Sequence, residues 1–89
     1  MNPIFTNYIK YRATLRGFDL DEIEKILRYS QEKYFDVETQ RKIVIGKHND
    51  NLAMIPYEIA VENIIPITIH ITTRQQIKFR LKTGRFINE

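Results

Sequence analysis

The spacing of apolar residues along the chain changes twice, from a helical period to strict alternation after Ser30 and back to a helical period after Thr72. Before the first change, Tyr8, Tyr11 and Leu15 fall at i, i+3 and i+7, with Ile9 and Ala13 beside them. That pattern predicts a helix. Thr6 or Asn7 can cap its start. Gly17 supplies its stop, since a left-handed residue there has no Cβ to clash. A second helix opens at Asp19, with Glu22 at the spacing of a capping box. Leu20, Ile23, Ile26 and Leu27 form its apolar stripe, and it closes near Tyr29 or Ser30. One short turn joins the two, which predicts an αα-hairpin.

From Lys33 the period is two. Phe35 and Val37 alternate with polar neighbours, and Arg41 to Lys47 carries Ile43, Val44 and Ile45. His48-Asn49-Asp50-Asn51 reads as a turn, which makes His48 a turn residue. Leu52 to Ile59 is a third strand and Ile64 to Thr72 a fourth. In the fourth, Ile65, Ile67, Ile69 and Ile71 point to the core, and Ile64, Pro66, Thr68, His70 and Thr72 to the other face. The short joints imply antiparallel pairing, because parallel strands need long crossovers. Pro56 and Pro66 each lack a ladder donor and belong at edges or bulges. A last helix runs from a Thr72 or Thr73 cap to about Lys82, with Gly84 as its stop and Ile77 and Leu81 on its core side. The expected fold is α+β in the order ααββββα: an N-terminal αα-hairpin, a four-stranded antiparallel meander sheet and a C-terminal helix. It forms one domain over residues 1–89, with the first few residues and the last two frayed.

Composition narrows the classes of function. Hydrophobic residues make up 43% and charged residues 28%, the balance of an ordinary globular domain. The absence of Cys excludes disulfides and thiolate chemistry. No apolar run approaches the ~18 residues of a membrane span. The N-terminal stretch lacks a basic segment followed by an apolar one, so a cytoplasmic protein without a membrane partner is expected. Gly17, Gly46 and Gly84 are dispersed and form no phosphate-binding loop. Two isolated His with no Cys give no zinc spacing, so neither metal nor cofactor is expected.

The net charge of +3 is a weak statement, but its distribution is not. Lys10, Arg12 and Arg16 precede Gly17 with no acid among them. Phe18 to Glu32 holds five acids against Lys25 and Arg28. Asn51 to Ile71 has no Lys or Arg. From Thr72 onward, Arg74, Lys78, Arg80, Lys82 and Arg85 face only Glu89.

Three constellations could carry chemistry. His70 lies between Thr68 and Thr72 on the less apolar strand face, and Thr73 and Arg74 follow at a helix N-terminus. Backbone N–H groups and the helix dipole there favour an anion, which Arg74 could clasp bidentately. A His beside an anion is a plausible general acid or base. The plain alternative is a solvated surface His and a capping Thr. On the last helix, Arg74, Lys78 and Lys82 form one row, Gln76 and Arg80 line the other flank, and Phe79 lies opposite Ile77. An aromatic between basic residues can stack on bases or pack against a partner; a charged solvated helix with one exposed Phe is the alternative. Arg12 and Arg16 share a face at i, i+4. That pairing costs about 0.2–0.5 kcal/mol, and it either marks an anion surface or is relieved by the acidic second helix.

The junction Arg12-x-x-x-Arg16-Gly17-Phe18, the acidic Asp21-Glu22-Ile23 and the run Ile69-His70-Ile71-Thr72-Thr73-Arg74-Gln75-Gln76-Ile77 resemble the RelE/ParE-like toxin superfamily. The likeness is greatest to its BrnT-like members and a neighbouring group of small prokaryotic domains, and it extends from about Tyr8 to Phe86. It implies the toxin of a type II toxin–antitoxin pair that cleaves RNA without a metal. The implied catalytic residues are Arg74, with His70 and Arg80 behind it. RNA and a small acidic antitoxin are the implied partners. The basic residues that crowd the sheet in ribosome-dependent members are missing between Asn51 and Ile71. A non-catalytic module, binding nucleic acid or protein through Lys78, Phe79, Lys82 and Arg85, is therefore the alternative.

Overall fold

A computed structural model describes all residues from 1 to 89. In chain order the elements are β1 (Asn2–Pro3), α1 (Asn7–Arg16), α2 (Leu20–Tyr29), β2 (Glu32–Asp36), β3 (Arg41–His48), β4 (Asn51–Ala60), β5 (Asn63–Pro66), β6 (His70–Thr72), α3 (Arg74–Lys82) and β7 (Phe86–Asn88). The seven strands form one mixed sheet in the order β1-β5-β4-β3-β2-β7, with β6 also paired to β4. No helix is long and apolar enough to cross a membrane.

The helix boundaries follow local chemistry. Thr6 Oγ1 accepts from the Ile9 N–H at 3.3 Å. Gly17 adopts φ 75°, and the N–H groups of Gly17 and Phe18 return to the Thr14 and Ala13 carbonyls. That is a Schellman closure, with Phe18 buried behind it. Asp19 Oδ1 accepts from the Asp21 N–H at 2.8 Å, and Thr73 Oγ1 from the Gln76 N–H at 3.1 Å.

Each face of the sheet has its own core. The α1–α2 hairpin covers one face, burying Ile9, Ala13, Phe18, Ile23, Ile26 and Leu27 against Val44, Ala53, Ile55, Tyr57, Ile64 and Ile69. Helix α3 and β7 cover part of the other, where Ile77 and Phe86 pack on Tyr34, Ile43 and Ile45, with Leu52, Met54 and Leu81 at the margin. Phe86 stacks on Tyr34 at a centroid distance of 5.5 Å.

The architecture departs from a four-stranded meander in three places. The C-terminus does not fray: β7 pairs antiparallel with β2, and Phe86 is buried. The N-terminus also joins the sheet, with β1 parallel to β5. The expected fourth strand divides into β5 and β6, because the chain leaves the ladder between Pro66 and His70. Strand β5 pairs with Tyr57–Ala60 of β4, and β6 pairs with Leu52–Met54. Pro56 falls in the gap between them. Its carbonyl accepts from the Ile67 N–H on that side, so its missing donor faces an interrupted ladder, as proline requires.

The detour also resets which side chains face inward. Ile64, Pro66, Ile69 and Thr72 are buried, whereas Ile71 is 50% exposed. The expected inward set of Ile65, Ile67, Ile69 and Ile71 is therefore correct only at Ile69. Helix α1 has likewise turned from its expected face. It buries Ile9 and Ala13 and leaves Tyr8, Tyr11 and Leu15 54%, 65% and 67% exposed. On β2 the inward residues are Tyr34 and Asp36; Phe35 is only half-buried, and Val37 lies beyond the strand, exposed.

His48 is not a turn residue. It ends β3, is 3% exposed, and its Nε2 accepts the Asp19 N–H at 2.9 Å. The Phe18 ring packs against it edge-on at 5.2 Å. His48 thus ties β3 to the start of α2, with its ring proton on Nδ1.

Candidate nucleic-acid interface

Helix α3 leaves part of its sheet face uncovered. On that open part lies a cleft of about 190 Å³ whose lining includes Met54, Thr68, His70, Arg41, Asp36 and Arg85. His70 enters it from β6, opposite Met54 of β4 in the ladder. This placement follows from the register. His70, Met54, Ile43, Tyr34 and Asp36 all project from the same face.

His70 is half-buried. Burial pushes its pKa below 6.5, and the positive charges of Arg12, Arg16 and Arg80 push it further in the same direction. The imidazole is therefore held neutral in a basic setting. Of the other residues singled out in the sequence, Arg80 of α3 reaches the cleft wall at Met54, whereas Arg12 and Arg16 of α1 do not line the cleft and act on His70 through their charge alone. Arg12 Nη1 donates to Tyr8 Oη at 3.2 Å, while its Nε is buried without a partner in the protein, as is Thr68 Oγ1. Arg80 Nη1 lies 3.3 Å from Met54 Sδ, and its guanidinium sits 5.5 Å from the Phe86 ring centroid. This arginine stands at the boundary between the α3 core and the cleft.

The other candidates are placed differently. Arg74 is clasped bidentately by Glu32 of β2, with Nη2 donating to Oε1 at 2.7 Å. Hydrogen bonds from Arg74 hold the Glu32 carboxyl below its usual value against the opposing effect of burial, with a further bond from Tyr34. Arg85 makes a second bidentate pair, with Nη2 and Nε donating to the two Asp36 oxygens at 3.0 and 3.1 Å. Burial pushes the Asp36 carboxyl up. Arg85 and the N–H groups of Glu38 and Thr39 outweigh that push and hold it below 3.8. The lack of balancing acids within the C-terminal segment is thus made good by β2. Lys78 and Lys82 remain exposed and form no ion pair, and Phe79 is 66% exposed.

Glu32, Asp36, Met54 and Arg41 all shape this surface and were not singled out by sequence. No local signal marks them. Glu32 and Arg74 are 42 residues apart, and Asp36 and Arg85 are 49 apart. Comparison with protein-family models, with curated protein sequences and with solved structures gives no match.

Proposed function

We propose that the protein is an RNA-cleaving toxin of the RelE/ParE-like kind, working at the His70 cleft without a metal. The observation that carries this reading is the half-buried His70 lining an open cleft with Thr68, Arg41 and Arg85, with Arg80 at the cleft wall. A neutral imidazole can take the proton of a ribose 2′-hydroxyl, and an imidazole kept from protonating by burial, together with the charge of arginines, stays available for that step at neutral pH. The 2′-oxygen then bonds to the adjacent phosphorus and the bond from phosphorus to the 5′-oxygen breaks. The proton held on His70 passes to the departing 5′-oxygen. Arg12, Arg16 and Arg80 supply the positive field in which charge accumulates on the phosphoryl oxygens. The products are a 2′,3′-cyclic phosphate and a 5′-hydroxyl. Arg74 and Arg85, each held by a carboxylate, enter this reading as fold-stabilising pairs.

Controlled expression tests it. Growth arrest with new RNA 5′-hydroxyl ends is expected. His70→Ala should lower cleavage by about 10²- to 10⁴-fold with the far-UV circular dichroism spectrum unchanged. Arg80→Gln should weaken it as well. Purified protein that leaves RNA intact, or cleavage that survives His70→Ala, rejects the reading.

A second reading has its own support. Phe79, Lys78 and Lys82 lie exposed along α3 with no acid paired to either lysine. They suit a non-catalytic module that grips nucleic acid or an acidic protein. RNA binding whose affinity falls steeply with salt, in a protein that never cleaves, would favour it.

A further inference from the structure

A second hollow, larger than the His70 cleft, is a groove of about 810 Å³ between α3, the turn after β2 and the Thr83–Arg85 segment. Its volume falls within the ~300–1,000 Å³ range of sites that take small organic groups. Phe79 and Val37 are its only hydrophobic linings, and the Phe79 ring is 66% exposed. Arg80 contributes a cation that forms no ion pair, while Arg85 and Glu38, which also line the groove, lie 3.5 Å apart as a pair.

The groove also carries unspent amide groups. Gln75 makes no hydrogen bond through its side chain. Gln76 Oε1 accepts from Thr72 Oγ1 at 3.0 Å, and the two N–H groups of its carboxamide have no partner in the protein. An accessible aromatic face, edge-reading carboxamides and the guanidinium of Arg80 are the combination that suits a planar heterocycle next to a phosphate.

The groove adjoins the cleft. Arg85 lines both hollows. Arg80 lines the groove, reaches Met54 on the cleft wall and acts on His70. The two hollows share a wall at Arg85, so a single strand with one phosphate at His70 has the groove as the neighbouring hollow for its next base.

We propose that this groove is a nucleobase subsite, in which Phe79 is the stacking platform and Gln75 and Gln76 read the edge of the base, so that it selects the nucleotide flanking the phosphate at His70. The proposal rests on the RNA reading of the cleft, but its residues are separate from those that would act on the phosphate. Gln76, whose carboxamide is oriented by Thr72, favours bases that present acceptors.

Binding and cleavage are measured separately to test it. Fluorescence anisotropy with end-labelled single-stranded oligoribonucleotides of uniform sequence gives affinity and base preference. A randomised RNA pool with mapped ends gives preference at the cut. Phe79→Ala should weaken binding by about 5- to 100-fold, while Phe79→Trp keeps it. Gln75→Ala and Gln76→Ala together should flatten the base preference with a smaller loss of affinity. Phe79 is exposed, so these variants leave the core intact. If Phe79→Ala binds within about twofold of wild type with the same base preference, the subsite is rejected, and cleavage that depends on His70 leaves the cleavage reading standing. If wild type binds and Phe79→Ala does not, yet nothing is cleaved, the subsite stands and the cleavage reading falls. If wild type binds none of the oligoribonucleotides, both fall.

Discussion

The two faces of the sheet solve different problems with the same strands. The face under α1 and α2 buries twelve apolar side chains, Ile9 through Ile69, and its one ion pair between strands, Lys42 with Glu89, lies where β3 approaches the C-terminus. The face under α3 buries five and is edged by charge: Glu32 with Arg74, Asp36 with Arg85, Arg41 with Glu58, and the cationic surroundings of His70. The alternation of β3 makes the division visible residue by residue, since Val44 faces the hairpin while Ile43 and Ile45 face α3. The first face holds the fold together through hydrophobic burial. The second sacrifices coverage, and its uncovered margin carries the groups capable of chemistry. A small domain cannot spare much core, so one face being nearly complete is what allows the other to stay partly open.

The largest effect should come from the hairpin face. Ile55→Ala removes a fully buried side chain from its centre and should cost about 2–5 kcal/mol in urea denaturation followed by circular dichroism. A loss well under about 1 kcal/mol would mean that this face is not the main store of stability. The Cβ of a Gly46→Ala variant would lie 2.5 Å from Ile26 Cγ1 and 2.6 Å from Cγ2, in the seam between β3 and α2. That substitution should cost about 1–3 kcal/mol, and less than additively when Ile26 is also cut back to Ala.

On the α3 face the expected effects depend on pH. Asp36 is buried and bound by Arg85, and its folded carboxyl titrates below 3.8. The stability it contributes is therefore present above 3.8 and lost as pH falls through the lower folded value. Asp36→Asn should cost about 1–3 kcal/mol at neutral pH and should flatten that part of the acid limb of the stability curve. An unchanged acid limb would show that the pair does not link the two elements. The smallest effect concerns His70. Arg12→Gln or Arg16→Gln should raise its titration midpoint in NMR toward 6.5, because each removes a charge that disfavours the imidazolium. No movement in either variant would break up the proposed cluster.

Much of the fold was legible because helix ends are local events. Thr6, Gly17, Asp19, Thr73 and Gly84 each act on groups within a few residues, and all five stop or start the elements expected of them. Faces were less legible. Helix α1 carries two apolar stripes. The longer one, Tyr8-Tyr11-Leu15, lies outside, and the helix meets the sheet through Ile9 and Ala13. The run from Ile64 to Thr72 offers uninterrupted alternation, but a detour of three residues with no ladder partner shifts its phase, and alternation alone carries no mark of that shift. His48 looked like part of a turn because Asn49, Asp50 and Asn51 follow it. Its acceptor role depends on Asp19, which is 29 residues away.

The candidate site shows the same division. His70 was distinguishable in the chain by the hydroxyls of Thr68 and Thr72 beside it, and Arg12, Arg16 and Arg80, whose charges act on it, by their local lack of acids. Which cations stay uncommitted was decided elsewhere, by β2, whose Glu32 and Asp36 take up Arg74 and Arg85. By itself the sequence determined the helices, their caps, the presence of a sheet and the excess of positive charge at the two ends of the chain, since each depends on near neighbours. Only the tertiary structure decided the strand order, the inward faces, the partners of each charge and the joining of the Phe79 groove to the His70 cleft. Those depend on register and on contacts between residues tens of positions apart, where no local pattern reaches.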